Sequence, residues 1–259
     1  MSRLLRVELL KIRSTRLTYG LLATATGLTA LLAVLRAATA GNGNTQPIST
    51  GTGLTRVLTV IGFAFVISIV FGATVSSGEF RHSTATVTYL AFPDRVRVLI
   101  AKLFAAAGVG LAFGALGFAT STAIALVFVA AKGYHIALSA GTIIGDGAGA
   151  ALATGLLAAL GVALGTLIRA QLGVVIGVFI WTVFAESILG GVINQLGPYL
   201  PFTAATTLAG AKLGGGGFGY GGSSTVTPLP FIAAAALIAA LAMVVLTIAS
   251  RTSLRADIT

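Results

Sequence analysis

The sequence predicts an all-α fold, a polytopic membrane protein in which six helices cross the bilayer and a short N-terminal helix lies at the membrane surface. Of its 259 residues, 56% are hydrophobic and only 8% are charged, whereas about 25% are charged in a soluble domain. The apolar residues form six runs close to or above the roughly 20 residues that a transmembrane helix needs. We therefore expect residues 1–259 to form a single transmembrane domain.

Residues 1–16 are predicted to form an interfacial helix. Leu5, Leu9 and Ile12 fall on one stripe at helical spacing, and five basic residues cover much of the remaining surface. Such a basic amphipathic helix lies in the headgroup layer of a membrane.

The six spans are predicted at about residues 17–35, 57–77, 103–131, 148–168, 173–193 and 229–250. The first of them also resembles a secretory signal, because it follows basic residues and precedes Ala38-Thr39-Ala40. However, its 19 residues without a charge exceed the roughly 7 to 15 residues of a signal h-region. An uncleaved first span is therefore the preferred interpretation.

Glycines recur at four-residue intervals inside these spans. The pairs are Gly110 and Gly114 (with Gly117 following), Gly161 and Gly165, and Gly173 and Gly177. Small residues at this spacing let helix backbones approach closely in a membrane. We interpret them as packing within the bundle rather than as a dedicated dimer face.

Basic residues are distributed unequally between the two sides of the membrane. Twelve of the 16 Lys and Arg residues lie on the side of the N-terminus, four of them in the connection 78–102. Cytoplasmic loops carry the excess of Lys and Arg. This predicts cytoplasmic termini, a cytoplasmic 78–102 and an extracellular 194–228, in the plasma membrane. The net charge of +10 then favours contact with anionic lipid rather than with nucleic acid.

Signatures of catalysis are missing from the sequence. It contains no cysteine, no nucleophile elbow and no His-Glu-x-x-His motif. The Gly-rich run at 214–222 lacks the Lys-Ser/Thr of a phosphate-binding loop, so we interpret it as a flexible loop. His82 and His135 lie on opposite sides of the membrane without partners at ligand spacing. We expect no enzymatic activity and no cofactor or metal bound by this chain.

Glu186 is the one ionisable residue well inside a predicted span. Charged residues within membranes are costly and mark functional sites by default. Two interpretations stay open. In the first, the span ends early and Glu186 lies at the outer surface, or it pairs with a polar neighbour. In the second, Glu186 has a direct role in binding a substrate.

Four segments resemble the type-2 permeases of ATP-binding cassette exporters, especially the short actinobacterial kind. They are VELLKIRSTR (7–16), SSGEFRHSTATVTYLAFPDRVRVLIAK (76–102), GVALGTLIRAQLG (161–173) and PYLPFTAATTL (198–208). The resemblance implies a half-transporter with six spans that pairs with itself or a close relative. It also implies two separate ATPase subunits on the cytoplasmic face, which would carry the ATP and magnesium.

The resemblance further assigns roles to two segments. The connection after the second span would form a coupling helix that contacts the ATPase through Glu79, Phe80, Arg81, His82, Ser83 and Thr84. Residues 194–207 would form short re-entrant helices that close an outer gate, although the Gly-rich run that follows departs from the family's pattern.

The residues around Pro93 support a coupling element independently. Phe92 precedes this proline and is biased away from helix. This predicts one short helix over 83–91 and another from Asp94 into the third span. A plain solvated loop is the alternative.

The predicted function is export of an amphiphilic cargo, such as a drug, an antimicrobial peptide or a lipid. Glu186 and six aromatic residues of the second and fifth spans would line the path, although aromatics also serve simply as core. The six are Phe63, Phe65, Phe71, Phe179, Trp181 and Phe184. The alternative function is an ion-coupled carrier or channel without an ATPase, whose signature is several intramembrane carboxylates or broken half-helices.

Overall fold

The computed structural model describes residues 2–43, 45–81, 94–168, 170–211 and 227–252. The regular elements of this part of the chain are all helical. The α-helices are α1 (Ser2–Ser14), α2 (Arg16–Thr39), α3 (Gly51–Leu58), α4 (Gly62–Arg81), α5 (Arg95–Ala131), α6 (Ala140–Ile168), α7 (Gln171–Ile180), α8 (Glu186–Val192), α9 (Pro201–Leu208) and α10 (Phe231–Thr252). A π-helical turn, Trp181–Ala185, joins α7 to α8, and a 3-10 helix, Asn194–Tyr199, follows α8.

In the part of the chain that the structure describes, six helical stretches are long and apolar enough to cross a membrane. They are Arg16–Thr39, Gly51–Gly78, Val96–Ala131, Ala140–Ile168, Gln171–Val192 and Phe231–Thr252. The predicted fold class is therefore confirmed, and the chain is a multi-pass membrane protein.

The central helix of the bundle is α6, which packs against α4, α5 and α10. Its contacts depend on small residues. A side chain at Gly161 would overlap the carbonyl oxygen of Ile69 in α4, and one at Gly149 would overlap that of Leu208 in α9. Such close backbone contact replaces the hydrophobic effect, which does not drive helix association in lipid.

The glycine pairs of the sequence occupy two environments. Gly110 and Gly114 lie against α6, and Gly165 lies against Ala73 of α4. A side chain at Gly177, by contrast, would meet no described atom within 4 Å. The first two pairs thus pack inside the bundle, whereas Gly177 lies on an open face of α7.

The fourth span begins eight residues earlier than predicted, because α6 starts at Ala140. Ser139 Oγ accepts a hydrogen bond from the Thr142 amide at 3.2 Å and so satisfies one of the unpaired amides of the first turn. As a result Asp146, which the sequence placed in a connection, lies within a membrane-spanning helix.

α1 packs against the bundle by a stripe that differs from the predicted one. Thr15, with extended backbone angles (φ −87°, ψ 118°), separates α1 from α2. Leu5, Glu8 and Ile12 face the bundle, whereas Leu9 is 38% exposed. The acidic side chain replaces the predicted leucine because its buried partner, Lys102, lies on α5.

α5 begins beside Pro93, as predicted. Asp94 Oδ1 accepts a hydrogen bond from the Arg97 amide at 3.1 Å, and Asp94 Oδ2 pairs with Arg97 Nε at 2.9 Å. This confirms the helix that was predicted from Asp94 into the third span. With 37 residues, α5 is about 55 Å long and extends well beyond a hydrocarbon layer of about 30 Å. The short helix predicted over 83–91 lies outside the described residues.

Candidate functional site

The aromatic residues predicted from the second span pack within the chain. Phe65 and Phe71 of α4 are each 1% exposed, and the ring of Phe71 lies 5.3 Å from that of Phe113 between centroids. Phe63 is half-buried. In a single copy of the chain, Phe65 and Phe71 are therefore core residues, and Phe71 also borders a cavity at the N-terminal end of the bundle.

The aromatic residues predicted from the fifth span lie on the surface. Phe179, Trp181 and Phe184 are 57%, 41% and 55% exposed. α7 packs mainly against α4 on its opposite side, where Val174 and Val178 are buried. The exposed aromatic face is apolar and is available to lipid, to a second copy or to an amphiphile.

The π-helical turn, which carries Trp181 and Phe184, determines the face on which Glu186 lies. In an uninterrupted α-helix, the seven residues from Phe179 to Glu186 would make almost two complete turns and leave both side chains on nearly the same face. The π-helical turn before Glu186 changes this register, as such insertions do at many functional sites. Glu186 is consequently 1% exposed, whereas Phe179 is 57% exposed.

The side chain of Glu186, the first residue of α8, contacts the start of α9. Glu186 Oε1 accepts a hydrogen bond from the Phe202 amide at 2.7 Å. The first amides of a helix have no partner within it, and the residue at the capping position, Leu200, provides no side-chain acceptor. By accepting from the Phe202 amide, the carboxyl group of Glu186 replaces the missing cap.

The second oxygen of Glu186 is less well satisfied. The Thr203 amide and the Trp181 side chain lie close to this carboxylate, yet Oε2 has no hydrogen-bond partner within the described part of the chain. The observed bond to Phe202 agrees with the pairing interpretation of Glu186, and a direct substrate role stays a prediction.

α9 returns into the bundle after the fifth span. Seven of its eight residues are buried, all except Thr207, and it packs against α6 and α10. The Ala211 amide donates to the Thr206 carbonyl at 3.0 Å, and the Gly210 amide donates to the Thr207 carbonyl at 3.1 Å. These two bonds, with Gly210 at φ 82°, form a Schellman motif that ends the helix.

Asp146 contacts the end of α9 that is opposite Glu186. Its carboxyl group occupies the space that a side chain at Gly210 would need. Gly210 is thus required both for its positive φ and for this close approach. Carboxyl groups from two different spans contact the two ends of α9.

At the other end of the bundle, Glu8 joins α1 to α5. Lys102 Nζ lies 2.8 Å from Glu8 Oε2, and Lys11 Nζ lies 2.9 Å from Glu8 Oε1. Glu8 and Lys102 are 1% and 4% exposed. Both oxygens of this carboxylate are therefore paired with an ammonium group.

The residues predicted to couple to an ATPase follow α4. The backbone of Glu79, Phe80 and Arg81 forms the last turn of this helix. His82, Ser83 and Thr84 lie outside the described residues.

Sequence reasoning missed Glu8 and Asp146. A usable signal for Glu8 existed, since it lies three residues before Lys11 and, with Leu5 and Ile12, on one helical face. For Asp146 the signal was Ser139, a favourable helix cap. Among the described residues, no group of three His, Asp or Glu side chains could hold a metal ion.

Comparison with known proteins assigns no family to this arrangement. No family model matches the chain, and no curated protein is significantly similar to it.

Proposed function

We propose that this chain is the membrane-spanning permease subunit of an ATP-binding cassette exporter. Two copies, or one copy and a related chain, would move an amphiphilic cargo out of the cytoplasm, driven by ATP hydrolysis on separate ATPase subunits. The termini and residues 78–102 would face the cytoplasm of a cell bounded by this plasma membrane, as the excess of basic residues on that side favours.

The observation that carries this proposal is the return of α9 into the bundle. The resemblance implies short re-entrant helices after the fifth span, and α9 is a short buried helix in that place. The exposed aromatic face, formed by Phe179 of α7 and by Trp181 and Phe184 of the π-helical turn, supports the proposal further. A second copy facing it would enclose an apolar path. The two copies would then share Phe179, Trp181 and Phe184 as cargo contacts.

The test is ATPase coupling in a reconstituted complex. The chain is co-purified with the ATPase encoded nearest to it, and ATP hydrolysis is measured with and without an amphiphilic dye. We expect Glu79→Ala and Arg81→Ala to lower the dye-stimulated rate about fivefold or more, a typical size for energetic coupling between sites. Lys132→Ala, which removes an exposed charge at the far end of α5, is the matched control. Equal rates in all variants would remove the coupling assignment.

A second candidate, an ion-coupled carrier, is favoured by a different observation. Asp146 and Glu186 both lie within candidate spans, the fifth span is interrupted by a π-helical turn, and α9 resembles a half-helix. Broken helices and intramembrane carboxylates are typical of carriers. Liposomes containing this chain alone decide between the two: dye movement driven by a proton or sodium gradient without ATP would favour the carrier.

A further inference from the structure

A cavity of about 490 Å³ lies beside the Glu8 cluster, at the end of the bundle that carries the N-terminus. Helices α1, α2, α4 and α5 contribute to its walls, together with Gln171 at the start of α7. Ser14 and Leu17 line it and are exposed, so it opens at the surface of the chain. Its volume is within the range of small-molecule sites, about 300 to 1,000 Å³.

The lining changes from basic and polar to apolar along the helix axes. Lys11 and Lys102 line one part together with Glu8, whereas Phe71 and Val75 of α4 line another. From Gly78 to Phe71, the lining on α4 extends seven residues, about 10 Å along the helix. The charged part lies at the helix end, where headgroups are found, and the apolar part lies toward the middle of the membrane.

We propose that this cavity binds the phosphate headgroup of an anionic phospholipid from the adjacent leaflet. The Lys11 ammonium lies in this lining, and an ammonium with three donors can contact a phosphate as well as Glu8. The beginning of an acyl chain would occupy the apolar part beside Phe71. Basic pockets between transmembrane helices are typical sites for anionic headgroups.

The exposed charges of α1 favour the same ligand. Arg3, Arg6, Arg13 and Arg16 are exposed on this helix or directly after it, and they raise the local concentration of anionic lipid. On the orientation given by the basic residues, the adjacent leaflet is the cytoplasmic one. The proposal does not depend on the exporter assignment, because binding is measured on this chain alone.

The experiment measures lipid binding to the purified full-length chain in detergent by native mass spectrometry. Phosphatidylglycerol is compared with phosphatidylcholine of the same acyl chains and with glycerol 3-phosphate. We expect saturable binding of one phosphatidylglycerol per chain and a dissociation constant about tenfold higher for Lys11→Ala, the effect of one lost charge-assisted hydrogen bond. Thr74→Phe, which fills the cavity without changing a charge, should also weaken binding.

Arg13→Ala is the matched control, because Arg13 is an exposed cation of the same helix that does not line the cavity. An equal loss for Arg13→Ala and Lys11→Ala would indicate diffuse surface attraction and overturn the proposed site. Equal binding of phosphatidylcholine would overturn the headgroup assignment. Equally tight binding of glycerol 3-phosphate would assign the site to a soluble phosphate and overturn the lipid.

Discussion

Two buried glutamates, one at each end of the bundle, are satisfied in different ways. Glu8 and Glu186 are each 1% exposed. Both oxygens of Glu8 are paired with lysine ammonium groups at 2.8 and 2.9 Å. Glu186 has one hydrogen bond, from the Phe202 amide, and its Oε2 has no partner within the described part of the chain.

The difference predicts which of the two contacts is harder to break. A carboxylate paired with two cations is strongly tied to its position, because separating a buried pair leaves an uncompensated charge. The carboxyl group of Glu186 contacts backbone amides and the Trp181 side chain and no cation among the described residues, so breaking its contact leaves no unpaired opposite charge. We therefore expect the α1–α5 junction to be harder to break than the contact between Glu186 and α9.

The largest expected effect comes from removing Lys102. Lys102→Met leaves Glu8 buried with a single cation, and breaking a buried pair costs about 3–5 kcal/mol. The free energy of unfolding, measured by titration of mixed micelles with SDS, should fall by about that amount. Adding Glu8→Gln should recover part of the loss, since the buried charge is then removed. Lys132→Met, directly after the same helix, is the control. An equal loss of stability there would contradict the structural role of the Lys102–Glu8 pair.

A smaller loss of stability is expected from removing Glu186, at the opposite end of the bundle. Glu186→Ala leaves the buried Phe202 amide without an acceptor, which costs about 1–3 kcal/mol, and it should loosen α9. Because the chain has no cysteine, Thr206→Cys supplies a single reporter in α9, where Thr206 is 7% exposed. Maleimide should label this cysteine faster in Glu186→Ala.

Glu186→Gln is the matched control for that experiment. Its side-chain oxygen can still accept from the Phe202 amide, so labelling should stay close to that of the unmodified glutamate. Equal protection of Thr206→Cys in the alanine and glutamine backgrounds would show that Glu186 does not hold α9.

The contrast between the two glutamates could be predicted only in part. Hydrophobic runs were sufficient to predict that six spans exist, and Pro93 was sufficient to predict where α5 starts, because both signals are local. The partner of Glu8, Lys102, is 94 residues away, so their pairing depends on how α1 packs. The π-helical turn has no side-chain signature, yet it decides which face Glu186 occupies.

The smallest expected effect on the free energy of unfolding is that of removing Lys11, the second lysine that pairs with Glu8. The side chain of Lys11 is 41% exposed, against 5% for that of Lys102. Because water already solvates Lys11, its pair with Glu8 should contribute no more than about 1 kcal/mol, and Lys11→Ala should unfold almost as the unmodified chain does. The same SDS titration measures this directly. A loss for Lys11→Ala as large as that for Lys102→Met would mean that the two cations hold Glu8 equally. In that case Lys11 would stabilise the α1–α5 junction as strongly as Lys102 does, and its removal would weaken lipid binding through the fold rather than through the headgroup.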